Sequence, residues 1–196
     1  ESLEQAWELN QKGRNNIIIG GNLWLKMGRR NIINAIDLSS LGLDKIEEDE
    51  GGFRIGCMAT LHDIETHEGL NKEFQNLFKE AVRHIVGVQF RNCATIGGSI
   101  FPKLGFSDVL TAFLACDTQV ILYKKGEVPL REFIYIPTDN DILTHLYVKK
   151  DGRKTAYESF RMTETDFPTI TCAVAKIQDS FETVLGARPK HAEVVV

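Results

Sequence analysis

Two segments that each contain a Gly-Gly pair constrain the fold more than any other feature of the sequence. Residues 17–24 carry three isoleucines followed by Gly20-Gly21, and residues 91–100 reach Gly97-Gly98 after a short β-like run. Glycine has no Cβ and allows positive φ, so the backbone at such a turn can approach a ligand closely. Successive N–H groups there can face an anion. Either pair alone is more often a simple turn, but together they predict two backbone cradles for one diphosphate.

The pattern around these segments predicts a chain that mixes helices and strands. Ser2 and Thr60 indicate helix starts, because Gln5 and Asp63 follow each of them three residues later. Apolar residues at helical spacing predict an unbroken helix over 71–86, Ser107 predicts the cap of another, and residues 22–27 predict a helical turn. Strands are expected at 16–19, 35–38, 119–123, 142–148, 155–162 and 169–177, the first of them in a parallel sheet, and hairpins at 44–57 and 150–153.

Composition excludes several functional classes. The chain has 196 residues, 43% of them hydrophobic, which is enough for one large domain or two small ones. A net charge of −4 without a Lys/Arg block argues against nucleic acid as a partner, and no apolar run is long enough for a membrane span. The four cysteines have no C-x-x-C spacing and the five histidines share no metal-ligand spacing. We therefore expect a cytoplasmic protein with reduced thiols, no metal site and no membrane contact.

The two Gly-Gly segments resemble those of the flavin-binding subunit, or domain, of the xanthine dehydrogenase and carbon monoxide dehydrogenase family of molybdenum hydroxylases. That family shows A-G-G-T-D-L and R-N-x-A-T-I-G-G-N-I, followed by S-D or G-D. Here the segments read I-G-G-N-L-W and R-N-C-A-T-I-G-G-S-I, followed by F-S-D. The resemblance implies an α+β, two-lobed FAD-binding domain of the vanillyl-alcohol oxidase-like (PCMH) type. Its lobes would be residues 1–56 and 57–178, and residues 179–196 would begin a C-terminal domain that is mostly missing.

The resemblance also implies which residues hold FAD. Both segments would contact its diphosphate, through Ile17, Ile18, Ile19, Gly20, Gly21, Asn22, Leu23 and Trp24 and through Thr95, Gly97, Gly98 and Ser99. Asp108 would accept hydrogen bonds from the ribityl chain, and Ile85 and Leu143 would pack on the isoalloxazine ring. Arg161 would replace a family lysine near the pyrimidine end, where a cation stabilises charge on the reduced ring. No residue is expected to act as a general acid or base.

Simpler interpretations of some positions follow from the residues alone. Asp108 is also a helix N-terminal acid, which the helix dipole favours, and the pattern makes Ile85 and Leu143 ordinary core residues. The chain departs from the family where Asn22-Leu23 replace Thr-Asp and where Ser99 replaces asparagine. After Arg161 it lacks the further arginines of the family, so the electron acceptor stays open.

The function implied by the resemblance is electron relay. Electrons would arrive from a 2Fe-2S small subunit, a molybdopterin-binding large subunit would oxidise the substrate, and NAD is a possible acceptor. A second hypothesis is a flavin-free scaffold subunit that keeps the fold, and a third is a stand-alone flavin oxidoreductase acting on a small substrate. A flavin absorption spectrum separates the first two, and copurification with a molybdopterin-bearing chain would argue against the third.

Overall fold

The computed structural model of the chain describes residues 2–137 and 139–195. Within these ranges the strands form three sheets, and short helices lie between and around them. The strands are β1 (Asn16–Ile19), β2 (Asn34–Asp37), β3 (Ile46–Glu48), β4 (Gly52–Gly56), β5 (Thr118–Leu122), β6 (Gly126–Pro129), β7 (Leu143–Lys149), β8 (Lys154–Phe160), β9 (Ile170–Ile177), β10 (Ser180–Gly186) and β11 (Glu193–Val195). The α-helices are α1 (Leu3–Gln11), α2 (Leu61–Thr66), α3 (Glu68–Glu73), α4 (Leu77–Val82), α5 (Val88–Arg91), α6 (Ile96–Ile100), α7 (Asp108–Leu114) and α8 (Leu130–Phe133). The fold is therefore mixed α and β, as predicted.

The N-terminal elements place the first Gly-Gly pair at the end of a strand. The Ser2 hydroxyl accepts a hydrogen bond from the Gln5 N–H at 3.2 Å, which starts α1 as predicted. Strand β1 pairs with β2 in parallel, also as predicted. The helical turn expected over 22–27 is shorter than predicted, because only Leu25–Met27 form a 3₁₀ turn. Gly20 and Gly21 thus lie between the end of β1 and this turn.

A five-stranded antiparallel sheet in the order β3-β4-β7-β5-β6 joins distant parts of the chain. The hairpin expected over 44–57 is present as β3 and β4. Strand β4 pairs with β7 along its length, so residues before position 56 share a sheet with residues after position 140. In the four-stranded sheet, β10 pairs with β9, so residues after position 178 share a sheet with residues before it. The division of the chain at 56 and 178 stays a prediction.

The helix predicted over 71–86 is wrong, because the structure divides this segment into α3 and α4. Gln75 and Asn76 between them have φ values of 47° and 64°, in the left-handed region. Contacts with β8 stabilise the break: the Gln75 side chain accepts a hydrogen bond from the Thr155 N–H at 2.7 Å. The Asn71 side chain accepts another from the Lys79 N–H at 3.0 Å, in the first turn of α4. These tertiary bonds outweigh the helical pattern of the sequence.

The hairpin predicted at residues 150–153 is also wrong, because β7 and β8 belong to different sheets. Both edges of β7 are already paired, one with β4 and the other with β5. Arg153 turns inward, and its guanidinium is held by the Asp151 carboxylate and by the Ala115 carbonyl at 2.5 Å. The Lys150–Arg153 turn therefore carries the chain from one sheet to the next.

Helix α7 is buried along its whole length and packs against α4, α6, β9 and β10. The fully buried rings of Phe74, Phe78 and Phe113 continue this core, with centroids 5.4 Å and 4.5 Å apart. Ser107 accepts a hydrogen bond from the Leu110 N–H at 3.0 Å, so the helix begins where the sequence predicts. Its first residue, Asp108, is therefore fixed by the core behind it.

No helix within the described residues is long and apolar enough to cross a bilayer.

Candidate functional site

The two Gly-Gly segments contact each other through their backbones. A Cβ added to Gly21 would lie 1.7 Å from the Cys93 carbonyl oxygen, and one added to Gly20 would lie 2.4 Å from the Thr95 hydroxyl. Gly21 also has a φ of +68°, which residues other than glycine rarely adopt. Glycine is therefore required at both positions of the first pair for two distant segments to meet.

Backbone N–H groups of the first segment are available to a ligand. Within residues 2–137 and 139–195, no protein atom accepts a hydrogen bond from the N–H groups of residues 21–24. Gly21 and Asn22 both have positive φ, at 68° and 56°, which turns the chain sharply after β1. Successive free N–H groups at such a bend form an anion-binding concavity. The first segment thus has the donors that a phosphate requires.

The second Gly-Gly pair differs from the predicted strand-to-turn arrangement. Helix α5 precedes it, and Gly97 and Gly98 lie inside helix α6 without positive φ. Their N–H groups already donate, from Gly97 to the Cys57 carbonyl at 2.8 Å and from Gly98 to the Thr95 hydroxyl at 3.2 Å. A Cβ on Gly97 would lie 2.8 Å from that same carbonyl oxygen, whereas one on Gly98 would lie 3.6 Å from the Gly20 oxygen. Gly97 is thus needed for packing, and Gly98 faces the first segment.

A buried ion pair holds the segment that leads into α6. The Arg91 guanidinium donates two hydrogen bonds to the Glu65 carboxylate, at 2.8 Å and 3.0 Å, and a third to the Ile85 carbonyl at 3.3 Å. The two side chains are 7% and 14% exposed. Burial opposes ionisation of Glu65, but hydrogen bonds from Arg91 and His62 outweigh it and lower the pKa of the carboxyl. Arg91 therefore ties Ile85 and the second segment to α2.

Replacing Glu65 by alanine is expected to destabilise the fold by about 3–5 kcal/mol, because it leaves the buried Arg91 charge without a partner. The matched control is Glu80→Ala, which breaks an exposed pair with Arg83 whose side chains are 39% and 50% exposed. That change should cost no more than about 1 kcal/mol. Urea unfolding of both variants measures the difference, and equal losses would contradict the anchoring role of Glu65.

A buried polar cluster joins α7 to β8. Asp108 accepts a hydrogen bond from the Tyr157 hydroxyl at 2.6 Å and forms an ion pair with Arg161, whose side chain is 7% exposed. Burial raises the pKa of the Asp108 carboxyl, while Tyr157 and Arg161 act in the opposite direction. Sequence reasoning missed Tyr157. The only signal was its inward position on β8, four residues before Arg161.

Arg161 keeps one donor without a partner. Its Nη1 donates to the Asp166 carbonyl at 2.6 Å and its Nη2 to Asp108, but its Nε is buried and makes no hydrogen bond. A buried donor left unsatisfied costs about 1–3 kcal/mol. Because Nε is enclosed by protein atoms, the guanidinium is held in place by Asp108 and Asp166 at its two Nη atoms.

The other predicted site residues lie around these groups. Ile85 is half-buried against the core and Leu143 is buried at the start of β7, so their contact with a ring stays a prediction. The Ser99 hydroxyl donates to the Thr95 carbonyl at 2.9 Å, inside α6. The Ser99 carbonyl in turn accepts a hydrogen bond from the Ser107 hydroxyl at 3.3 Å, which links α6 to the start of α7. Ile17, Ile18 and Ile19 are half-buried in β1.

Three aromatic rings from three loops meet beside the first segment. The Trp24 and Phe106 centroids are 5.4 Å apart, those of Phe106 and Phe167 are 4.6 Å apart, and those of Trp24 and Phe167 are 6.2 Å apart. Trp24 and Phe167 are 50% and 58% exposed. We call these three residues the aromatic cluster. It connects the first segment with the loop before Asp108 and with the loop after Arg161.

Comparison with known proteins gives a consistent result. Residues 1–148 match the family described as "FAD binding domain in molybdopterin dehydrogenase". The chain is 26% identical over 178 residues to the uncharacterized protein YgfM of Escherichia coli K12, covering 89% of this chain and 67% of that protein. It is 37% identical over 71 residues to the aldehyde oxidoreductase FAD-binding subunit PaoB of the same strain, covering 36% of this chain and 22% of PaoB.

Solved structures share the fold. Quinoline 2-oxidoreductase from Pseudomonas putida 86 superposes with a TM-score of 0.86 at 18% identity, covering 98% of this chain and 74% of that one. The match shows that the arrangement of helices and strands is shared at low sequence identity. Because the family match covers most of the sequence, the chain belongs to the FAD-binding domain family of the molybdopterin dehydrogenases, as a flavoprotein oxidoreductase subunit with FAD as its cofactor.

Proposed function

We propose that this chain holds FAD beside the contact of its two Gly-Gly segments and relays electrons from iron–sulfur centres on a partner subunit to NAD or another acceptor. The observation that carries this proposal is the direct contact of the two segments beside free backbone donors. That contact leaves no room for a Cβ at Gly20 or Gly21, and the adjacent N–H groups need an acceptor. The residues present therefore fit a diphosphate.

Two contacts link the Gly-Gly segments to the start of α7, where the polar cluster lies. The Trp24–Phe106 contact links the first segment to the loop before Asp108, and the Ser107–Ser99 hydrogen bond links α6 to the same helix start. A dinucleotide held at residues 21–24 would therefore extend toward Asp108 and Arg161. We propose that Asp108 accepts from the ribityl hydroxyl groups and that Arg161 donates to the ring.

Each group of this chain has a binding task. The N–H groups of residues 21–24 would bind the phosphates without a buried cation, and Thr95 would add its hydroxyl proton, since its oxygen already accepts from Gly98. Arg161 would stabilise negative charge at the pyrimidine end of the ring, and Ile85 and Leu143 would pack on its faces. Bound FAD supplies the exchange between one-electron and two-electron chemistry. No side chain of this chain needs to act as a general acid or base.

The partners and the lobes belong to the same proposal. The printed name of PaoB describes an FAD-binding subunit, which supports a complex in which other chains carry the remaining cofactors. We propose a molybdopterin-binding large subunit and a 2Fe-2S small subunit, a cytoplasmic location, and a PCMH-type arrangement with lobes over 1–56 and 57–178. Residues 179–196 would begin a third domain.

The Gly98→Val variant tests where FAD binds. Its Cβ would meet the Thr95 hydroxyl at 3.2 Å, so the fold can adjust, while the added methyl groups fill the space facing Gly20. Overpacking of this kind costs about 1–3 kcal/mol, which, if it falls on the bound state, corresponds to a rise of about 5- to 150-fold in the Kd for FAD. Flavin absorbance of the purified protein and titration of the apoprotein measure this change.

The control is Gly13→Val, because Gly13 has no atom within 4 Å of its added Cβ and no positive φ. We expect this variant to bind FAD like the parent chain. Unchanged FAD binding in Gly98→Val would contradict the assigned site. A parent chain that takes up no FAD would instead support the flavin-free scaffold hypothesis.

A further inference from the structure

Two donors converge on a single oxygen of Asp108. The Tyr157 hydroxyl, at 2.6 Å, and the Arg161 Nη2 both donate to Oδ1. No protein atom among the described residues donates to Oδ2, yet Arg161 Nε is the only buried side-chain atom there without a partner. Oδ2 is therefore not enclosed by protein. One oxygen of the carboxylate is anchored, and the other is left to accept from a ligand.

Arg161 is held in place together with Asp108. Its Nη2 is held by Asp108 and its Nη1 by the Asp166 carbonyl at 2.6 Å, so the plane of the guanidinium is fixed on two sides. The remaining Nε is enclosed by protein atoms. The cluster thus presents one acceptor, Asp108 Oδ2, from a single rigid unit.

We propose that Tyr157 is a positioning residue for the cofactor: its hydroxyl anchors Asp108 Oδ1, so that Oδ2 is presented to a polyol hydroxyl group. This inference rests on the proposed function, because it takes FAD as the ligand. It assigns a role to a residue that lies outside both Gly-Gly segments. The chemistry recognised is the hydroxylated chain, and not the diphosphate.

The environment of Tyr157 supports a role for the hydroxyl beyond packing. The residue is 7% exposed, and its hydroxyl bonds to a carboxylate that is itself nearly enclosed. A phenylalanine would fill the same volume but would leave Asp108 with one donor fewer. Burial raises the pKa of Asp108, and the Tyr157 hydrogen bond opposes that effect.

The experiment compares two ligands on the Tyr157→Phe variant. FAD reaches both the phosphate-binding segments and the cluster, whereas ADP lacks the ribityl chain and the ring. We expect the Kd for FAD to rise by about tenfold, the effect of losing one hydrogen bond to a charged group, while the Kd for ADP changes by less than about twofold. Tyr135→Phe is the control, because Tyr135 is 66% exposed, and it should change neither value.

A double-mutant cycle with Asp108→Asn tests whether Tyr157 acts through Asp108. The amide can still accept from Tyr157 and Arg161 at its oxygen, but its nitrogen cannot accept from a ligand hydroxyl. We expect Asp108→Asn to weaken FAD without weakening ADP. Adding Tyr157→Phe to it should then have little further effect, because coupled residues are not additive.

The outcomes separate this inference from the proposed function. Equal losses for FAD and ADP, unchanged FAD affinity in Tyr157→Phe, or fully additive effects in the cycle would each overturn the positioning role while leaving FAD binding intact. A parent chain that binds neither FAD nor ADP would refute the proposed function, and the role of Tyr157 with it. Retained ADP binding in each variant shows that the fold has survived the substitution.

Discussion

Replacing Gly21 by alanine is expected to weaken FAD binding strongly, because the added methyl group collides with the second segment. The new Cβ would lie 1.7 Å from the Cys93 carbonyl oxygen and 2.6 Å from its carbon, so the two segments would have to separate. Backbone atoms cannot move aside as the end of a flexible side chain can. We expect the Kd for FAD to rise by at least about a hundredfold, or roughly 2.7 kcal/mol. Titration of the apoprotein measures it.

Gly42→Ala is the matched control, because it separates the steric effect from the conformational one. Gly42 has the same φ of +68°, but a Cβ added there meets no atom within 4 Å. Both variants carry the cost of a left-handed alanine, about 1–2 kcal/mol, and only Gly21→Ala carries the collision. Loss of FAD in both variants, or in neither, would refute the argument that contact between the segments creates the site.

Removing the cation at Arg161 is expected to lower the reduction potential of the bound flavin. Arg161→Ala removes the positive charge proposed to stabilise the reduced ring, so we expect a fall of about 30 mV or more, which is about 1.4 kcal/mol for a two-electron couple. Arg161 also counteracts the burial that raises the pKa of Asp108, so its loss raises that pKa further. The fall should therefore be largest at high pH, where Asp108 stays ionised. It should shrink as pH is lowered through the raised pKa and Asp108 takes up a proton.

Spectroelectrochemical titration over a range of pH measures both effects. Arg188→Ala is the control, since Arg188 pairs with Glu193 at the surface, where the two side chains are 42% and 36% exposed. Because Arg161→Ala leaves a buried carboxylate beside Tyr157, the double variant Arg161→Ala/Asp108→Asn should recover stability. A flavin potential that is the same in Arg161→Ala and in the parent chain would place Arg161 away from the ring.

Sequence reasoning succeeded where local chemistry decides the structure. The helix starts at Ser2, Thr60 and Ser107 follow from hydroxyl groups that bond N–H groups three residues later, and all three are present. The parallel strand before Gly20-Gly21 was predicted from its isoleucines. The predicted site residues at both segments are brought into contact, although their role in FAD binding stays a proposal.

Sequence reasoning failed where partners distant in the chain decide the structure. The helix over 71–86 breaks because Gln75 bonds to β8, eighty positions later. Residues 150–153 do not form a hairpin because both edges of β7 are occupied. Gly97 and Gly98 are helical, and glycine is needed at 97 only because Cys57 packs against it. None of these contacts leaves a periodicity or a spacing in the segment itself.

The aromatic cluster couples three loops that are distant in the chain. Phe167 lies in the loop between β8 and β9, six residues after Arg161, and its ring contacts both Trp24 and Phe106. A displacement of that loop must pull Phe167 away from both rings and expose their contacting surfaces to water. Access to the proposed FAD site from the side of that loop is thereby coupled to the geometry of the turn at residues 21–24. Exchange of a bound dinucleotide and entry of a second molecule would therefore not be independent events.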